Sequence, residues 1–210
     1  TWVSRDRVKG AKASIDSGAQ VIIMDDGFQH PRIKKNFSIL VVDTVYGFGN
    51  GHVFPAGPLR ETPENALNRS DLVVLLGPDE SSIKAQLLNK HPKLPILSAT
   101  IIPGPELNPH IGKPMVAFSG IANPDKFFST LVQIGCNLLD TIKFSDHHLF
   151  TEKELAKLHF TAKQSNSVLV TTEKDWVRLP VKEKKVIKFL TISLQWDDEA
   201  FLNSILDQVG

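Results

Sequence analysis

Cysteine, long apolar runs and charge of one sign are all scarce in this sequence. Cys136 is the single cysteine in 210 residues, which excludes an intramolecular disulfide and is typical of a reducing compartment, so we expect a cytoplasmic location. Its apolar neighbours indicate a buried, unreactive thiol. No run of about 18 apolar residues occurs, so we expect no membrane-spanning helix.

The charges nearly cancel, because 24 Lys and Arg residues stand against 23 Asp and Glu residues, a formal net charge of +1. A nucleic-acid-binding domain needs a strong basic excess or a concentrated basic patch, so we expect no nucleic-acid partner. A lysine cluster near the C-terminus is interrupted by Glu183 and apolar residues, which favours a solvated edge over a membrane- or acid-binding patch. The cluster comprises Lys182, Lys184, Lys185 and Lys188.

Short apolar segments alternate with helical patterns, which predicts an α/β fold with a parallel sheet covered on both faces. Predicted strands span residues 20–24, 37–42, 71–76, 95–102, 115–118, 138–142, 168–171 and 186–194. Predicted helices span residues 5–17 (capped by Ser4), 80–90, 123–134, 151–164 (opened by a capping box) and 197–209. Three prolines between positions 103 and 109 predict a linker. We therefore expect a core domain over residues 1–102, a hinge over 103–112 and a smaller α/β lobe over 113–210.

The stretch IIMDDGFQH at residues 22–30 ends an apolar run on two adjacent acids. Ligands bind beyond the carboxyl ends of parallel strands, and carboxylates there can hold Mg²⁺ beside a phosphate. Asp25 and Asp26 are therefore candidate metal ligands, and Gln29 and His30 line the same mouth. Without a bound metal, repulsion predicts a raised pKa for at least one of the two acids. The alternative is a solvated Asp-Asp-Gly turn.

The stretch VYGFGNGHVFPAGPLRE at residues 45–61 contains four glycines and two prolines, which predicts a shaped loop. Glycines such as Gly49 let the backbone approach an anion closely, and Arg60 can clamp a phosphate with two hydrogen bonds. Glu61 adds an oxygen ligand. The alternative is a structural loop with special backbone angles.

Two further stretches carry polar groups next to predicted strands or helices. In FSDHHLF, Asp146, His147 and His148 can supply a general base held by a carboxylate, or metal ligands, although adjacent histidines point apart and chelate one ion poorly. The alternative is a loop that caps the next helix. In TTEKDWVR, at residues 171–178, hydroxyls and Lys174 can meet an anion, or the segment is an acid-rich helix N-terminus.

In this order, DDGFQH, GFGNG with PAGPLRE, FSGIANP, FSDHHLF and TTEKDWVRL resemble the tetraacyldisaccharide 4'-kinase family over nearly the whole chain. The resemblance implies transfer of the ATP γ-phosphate to the 4'-hydroxyl of tetraacyldisaccharide 1-phosphate, giving lipid IVA. It also implies an enzyme peripheral to the cytoplasmic face of the bacterial inner membrane. The implied fold is a P-loop-kinase-like core, incomplete at its N-terminus, joined through a strand hinge to a smaller α/β lobe.

The resemblance also implies roles for individual residues. Asp25, Asp26 and Glu61 would handle Mg²⁺, with Asp26 also catalytic. Gln29, His30, Gly49, Asn50 and Arg60 would contact ATP. Asp146, His147 and His148 match a motif from which one histidine partners a catalytic aspartate.

The family's Walker A loop and its Gly-Asp-Glu-Pro segment, which carries the catalytic base, have no match here, since Gly-Lys-Ser/Thr does not occur. We therefore expect a fragment that is inactive alone. Two other readings stay open. One is a metal-dependent phosphohydrolase built on Asp25, Asp26 and the Asp-His-His stretch, and the other is a non-catalytic α/β binding module.

Overall fold

The computed structural model describes residues 1–78 and 83–207, and these residues fold into alternating strands and helices, as the apolar pattern predicts. The strands are β1 (Ile39–Asp43), β2 (Leu72–Leu76), β3 (Ile96–Pro103), β4 (Pro114–Ser119), β5 (Asn137–Lys143), β6 (Val168–Thr172), β7 (Lys188–Leu190) and β8 (Ile192–Trp196). The helices are α1 (Arg7–Asp16), α2 (Pro63–Leu67), α3 (Ile83–Lys90), α4 (Pro124–Gln133), α5 (Glu152–Gln164), α6 (Glu173–Trp176), α7 (Val181–Lys184) and α8 (Glu199–Leu206), with a 3₁₀ helix at Pro105–His110.

The chain divides into two compact units, of which unit 1 comprises Thr1–Thr100 and Leu194–Gly210. Its sheet has the order β1-β2-β3-β8, and β2 pairs in parallel with both β1 and β3. Strand β2 is apolar throughout because both of its faces are covered. Val73 and Leu75 pack with Leu87 of α3 on one face, and Leu72 and Val74 pack with Ile205 of α8 on the other.

Unit 2 comprises Ile101–Ser193 and contains a second sheet with the order β5-β4-β6-β7, in which every pair is parallel. The central strand β4 is again buried on both faces. Met115 and Ala117 pack against α4 on one side, and Val116 and Phe118 pack against α5 on the other. Cys136 lies buried in the first of these clusters, and burial raises the pKa of its thiol, which agrees with the predicted unreactive cysteine.

Side-chain caps place most helix starts where the sequence predicts them. The Thr151 hydroxyl accepts from the backbone N–H of Glu154, whose carboxylate accepts from the N–H of Thr151, so the predicted capping box of α5 is confirmed. Helix α1 is capped by Asp6, not by Ser4 as predicted. The Asp6 carboxylate accepts from two N–H groups of the first turn, whereas the Ser4 hydroxyl donates to the Asp6 carbonyl.

Two strand predictions are wrong. Residues 20–24 form no strand, because among the described residues no strand pairs with them, and Val21 and Ile23 are exposed. The predicted strand 186–194 is broken at Thr191 into β7 and β8, which belong to different sheets. At the break, the Thr191 carbonyl accepts from the N–H of Gly104 at 2.8 Å and the Thr191 hydroxyl donates to Glu106 at 2.6 Å.

Three further predictions meet the structure in different ways. The proline-rich linker is a 3₁₀ helix whose Leu107 is buried in unit 2. Residues from Leu194 onward, assigned by sequence to the second lobe, group with unit 1, because β8 joins its sheet and Ile205 is buried in its core. The ends of the predicted helices at positions 80–82 and 208–209 lie outside the described residues. Within those residues, no helix is both long and apolar enough to cross a bilayer.

Candidate functional site

The Asp-Asp-Gly segment of unit 1 is a turn held from two sides. Asp26 has a φ of 49°, in the left-handed region. Arg7 of α1 donates to the Asp26 carbonyl at 2.9 Å, and Arg60 donates to the Asp26 carboxylate at 2.7 Å. Gly27 follows, where a Cβ atom would lie 2.5 Å from the Cβ of Met24, so only glycine fits. The turn that sequence offered as an alternative is thus present, and its carboxylate faces a cation.

The contact with Arg60 lowers the pKa of the Asp26 carboxyl. Its hydrogen bond, and then its positive charge, hold the pKa of the Asp26 carboxyl below its usual range, and the same contact raises the pKa of Arg60. Of the two acids, Asp26 is therefore not one with a raised pKa. An opposite charge at hydrogen-bonding distance favours the ionised form of an acid.

A second contact joins the same two segments. Gln29 donates to Glu61 at 3.0 Å, so two residues of the DDGFQH stretch meet two consecutive residues more than thirty positions later. Arg69, just after α2, donates to both oxygens of Glu61 at 2.5 and 2.6 Å, and its guanidinium lies 4.9 Å from the ring centre of Phe28. The two stretches therefore lie together, and the part played by Arg69 was not predicted.

His30 lies at the end of this stretch with one atom unsatisfied. Its Nδ1 is buried and has no hydrogen-bond partner among the described residues. Its carbonyl accepts from Lys35 at 2.7 Å, which fixes the backbone. A buried polar atom without a partner is uncommon in a folded protein, so His30 has capacity left for a ligand or a water molecule.

Hydrogen bonds within the glycine-rich loop fix the backbone that leads to Arg60. Asn50 donates to the carbonyl of Ala56 at 2.9 Å and accepts from the N–H of His52 at 3.1 Å, so its side chain closes the loop. The N–H of Phe54 donates to the carbonyl of Leu59 at 2.9 Å, immediately before Arg60. Gly49 has a φ of 59°, which favours glycine.

Gly49 and Asn50 border a cavity of about 490 Å³ between this loop, α2 and α3. Its described lining includes neither Asp26 nor Arg60. The structure therefore brings Asp26, Gln29, Arg60 and Glu61 together and places Gly49 and Asn50 at a neighbouring cavity.

The three acids proposed as metal ligands are not equivalent. Mg²⁺ in proteins is held by one or two carboxylates together with water and substrate phosphates. Asp25 and Asp26 are both exposed, so their carboxylate oxygens are accessible to an ion, and one oxygen of Asp26 already accepts from Arg60. Glu61 is already engaged by Arg69 and Gln29. Within the described ranges, no group of three His, Cys, Asp or Glu side chains lies close enough to hold a metal ion.

In unit 2, the two neighbouring histidines of the Asp-His-His loop lie in different environments. The Nε2 of His148 lies 3.1 Å from both carboxylate oxygens of Glu154. Its ring stacks on Phe144 with centroids 4.8 Å apart and meets the edge of Phe150 at 5.2 Å. The side chain of His148 is 23% exposed, whereas that of His147 is 69% exposed. His148 is therefore held in place, and His147 projects into solvent.

His147 sits in a strained backbone that its neighbours enforce. Its φ is 57°, in the left-handed region, and its N–H donates to the carbonyl of Gly120 at 3.0 Å. The Asp146 carboxylate also accepts from this N–H at 3.0 Å, and its other oxygen lies 3.8 Å from the Nε2 of His147. An aspartate beside an exposed imidazole is a suitable arrangement for proton transfer.

Glu154 supports this loop and was not predicted as a site residue. The backbone N–H of Thr151, then its hydroxyl, then His148 lower the pKa of Glu154 to about 2. The carboxylate therefore stays ionised and holds both the helix start and the His148 ring. The capping box was the sequence signal for Glu154, but its bond to His148 depends on the fold of the preceding loop.

The TTEKDWVR stretch follows the helix-terminus alternative. The Thr172 hydroxyl caps α6 by accepting from the N–H of Asp175 at 3.0 Å. Asp175 is fully buried, and its carboxylate accepts hydrogen bonds from Ser119 at the end of β4, from Gly120 and from Arg178. Sequence reasoning did not single out Asp175.

Comparison with known proteins identifies the family of this chain. The sequence profile of the family described as tetraacyldisaccharide-1-P 4'-kinase matches residues 1–210. A curated tetraacyldisaccharide 4'-kinase of Paramagnetospirillum magneticum is 45% identical over 210 residues, which cover all of this chain and 64% of that protein. A second, from Gluconobacter oxydans, is 40% identical, with 99% of this chain and 62% of that protein covered. The chain thus spans just under two thirds of the length of these relatives.

A solved structure shares the fold. LpxK from Aquifex aeolicus, determined in complex with ATP, matches with a TM-score of 0.69 and 23% identity. The match covers 99% of this chain and 63% of that one. This likeness confirms the predicted kinase-type α/β fold with a parallel-sheet core. By its sequence, the chain belongs to the tetraacyldisaccharide 4'-kinase family.

Proposed function

We propose that the protein to which this chain belongs transfers the γ-phosphate of ATP to the 4'-hydroxyl of a tetraacyldisaccharide 1-phosphate, giving lipid IVA. Family membership supports this activity. The structural observation that carries it is the pair of contacts Asp26–Arg60 and Gln29–Glu61, which assemble carboxylate, amide and guanidinium groups at one place.

Phosphoryl transfer depends on positioning and on stabilising charge, and these groups suit both tasks. Arg60 is a bidentate donor for phosphate oxygens, and its present partner Asp26 keeps it directed at the turn. Mg²⁺, when bound to Asp25 and Asp26, would offset the negative charge of the nucleotide phosphates. Gln29 and Arg69 orient Glu61.

We assign the reactive histidine of unit 2 to His147. Its ring is exposed and lies beside Asp146, which can stabilise the protonated imidazole. His148 is unsuited to that role because its Nε2 faces Glu154 and its ring is stacked on Phe144. In this assignment His148 fixes the loop, and His147 and Asp146 take part in moving the proton of the acceptor hydroxyl.

We place the enzyme at the cytoplasmic face of the inner membrane, peripheral to the bilayer, with no nucleic-acid partner. The acceptor supports this placement, because its acyl chains belong in a lipid layer. Co-sedimentation with vesicles of inner-membrane lipid, compared with vesicles of neutral lipid alone, tests the membrane contact.

The activity is tested with the protein expressed from its own gene, ATP labelled on the γ-phosphate, and the tetraacyldisaccharide 1-phosphate dispersed in detergent. The proposal predicts label in the glycolipid, and no transfer to an acceptor whose 4' position is already phosphorylated. Release of labelled phosphate without an acceptor would instead favour a phosphohydrolase. Binding of ATP without either reaction would favour a binding module.

A further inference from the structure

Among the residues that the structure describes, Asp175 is the most deeply buried charged residue, with a side chain that is 0% exposed. One carboxylate oxygen, Oδ2, accepts from the Ser119 hydroxyl at 3.0 Å, the Gly120 N–H at 2.9 Å and the Thr172 hydroxyl at 2.9 Å. The other, Oδ1, accepts from Arg178. A buried carboxylate with this many donors is rigidly placed, because each lost bond leaves an unsatisfied polar group.

Gly120 connects this carboxylate to the Asp-His-His loop. Its N–H donates to Asp175, and its carbonyl accepts from the N–H of His147 at 3.0 Å and from Arg178 at 3.4 Å. The loop lies directly against it, since a Cβ at position 120 would stand 3.1 Å from the Cβ of His148 and 3.1 Å from the carbonyl of Ser145. Gly120 therefore links the two residues, because it donates a hydrogen bond to Asp175 and accepts one from His147.

We infer that Asp175 is a positioning residue that acts through Gly120 to hold His147 in its left-handed conformation with its ring presented to solvent. A backbone at φ 57° is uncommon outside glycine and carries strain, so contacts with neighbouring residues help to hold it. The bond from the His147 N–H to the Gly120 carbonyl is one such contact, beside the bond to Asp146, and Asp175 with Arg178 fixes the Gly120 acceptor. The catalytic part of this inference rests on the proposed function, because it requires that His147 reacts.

Asp175→Asn removes the arrangement with little change in shape. An amide has one acceptor oxygen, so its NH₂ must face either the Gly120 N–H or the Arg178 guanidinium, both of which are donors. In either orientation the Gly120 residue loses an anchor. The matched control is Asp125→Asn in the same unit, where the carboxylate is 69% exposed and pairs with Lys143.

The test is hydrogen exchange of single amides, measured by NMR on the 210-residue chain. We expect the His147 amide to exchange about tenfold faster or more in Asp175→Asn, while the amides of β4 keep their protection. Asp125→Asn should leave the His147 amide unchanged. Equal His147 exchange in wild type and Asp175→Asn would overturn the inference, and this readout requires no enzymatic activity.

A second variant covers the case in which Asp175→Asn does not fold. Gly120→Ala keeps the buried carboxylate and its donors but inserts a methyl group against His148 and Ser145. It should also accelerate exchange at His147 and spare β4. Unchanged exchange in a folded Gly120→Ala protein would contradict the inference in the same way.

The catalytic consequence is measured on the protein expressed from its own gene. A misplaced reactive group lowers turnover, so kcat should fall about tenfold to a hundredfold in Asp175→Asn, with KM for ATP within about twofold of wild type. Faster exchange at His147 with unchanged kcat would refute the catalytic part. If the wild-type protein transfers no phosphate, the proposed function fails, and the exchange measurement still decides whether Asp175 holds His147.

Discussion

The aromatic cluster beneath the Asp-His-His loop should determine the stability of unit 2. Phe118 on β4 is fully buried, and its ring meets the edges of Phe144 at 6.4 Å and Phe150 at 5.3 Å. Phe118→Ala removes those contacts and leaves a cavity between the sheet and α5. Burial and cavity terms together predict a loss of about 3–5 kcal/mol in the free energy of unfolding.

Urea denaturation followed by tryptophan fluorescence measures this loss, with Trp176 of the same cluster as a local probe. For a slope of about 2 kcal/mol per molar urea, the midpoint should fall by about 2 M. The control is Phe160→Ala on α5, whose ring is 64% exposed, and its midpoint should move by less than about 0.5 M.

Part of the loss should come from the aromatic pairing itself. A double-mutant cycle of Phe118→Ala with Phe150→Ala should show a coupling of about 0.5–1.5 kcal/mol between the two rings. The reasoning is refuted if Phe118→Ala costs less than about 1 kcal/mol, or if the exposed and buried substitutions shift the midpoint equally.

Two further predictions concern the loop and the helix it caps. The pKa of Glu154 is lowered to about 2 from 4.5, so its contribution to stability is complete above pH 4.5 and is lost as the pH falls towards 2. Thr151→Ala should lower the free energy of unfolding by about 1 kcal/mol at neutral pH and weaken this acid dependence. Parallel acid-unfolding curves for the wild-type and Thr151→Ala proteins would contradict that expectation. His147→Gln should lower phosphate transfer about a hundredfold without moving the urea midpoint, since its ring is exposed. His148→Gln should instead lower the urea midpoint, because it removes the ring that stacks on Phe144 and one of the partners of Glu154; the opposite pattern in paired activity and denaturation measurements would show that the assignment is reversed.

Local chemistry made much of this fold predictable. The continuous apolar runs of β2 and β4 indicated buried central strands, and the structure buries both. Asn123 and Thr151 cap helices where short polar side chains precede helical patterns. Each of these features depends on residues only a few positions apart.

The features that could not be predicted depend on distant pairing. The apolar segment 20–24 lacks a strand beside it, which its own sequence does not reveal. The lowered pKa of Asp26 comes from Arg60, which lies 34 positions away. The two histidines at 147 and 148 look equivalent in sequence, and only the folded positions of Phe144 and Glu154 distinguish them.

We propose that the turn at Asp26 and Arg60 faces the phosphates of a nucleotide. The pair is exposed, with side chains 64% and 60% accessible, so solvent screens it and it contributes little to stability. A hydrogen bond from its guanidinium to a phosphate is worth about 1.5–3 kcal/mol. Arg60→Gln should therefore leave the urea midpoint nearly unchanged while weakening a ligand that bears phosphates.

Calorimetric titration with Mg-ATP measures this most directly, using the protein expressed from its own gene. The account predicts affinity about 10- to 100-fold lower for Arg60→Gln than for wild type, since each 1.4 kcal/mol is about tenfold. Arg32→Gln, which removes an arginine that is 67% exposed and paired with Asp6 in the same unit, should bind Mg-ATP as wild type does. Wild-type affinity in Arg60→Gln, or an equal loss in both variants, would contradict the claim.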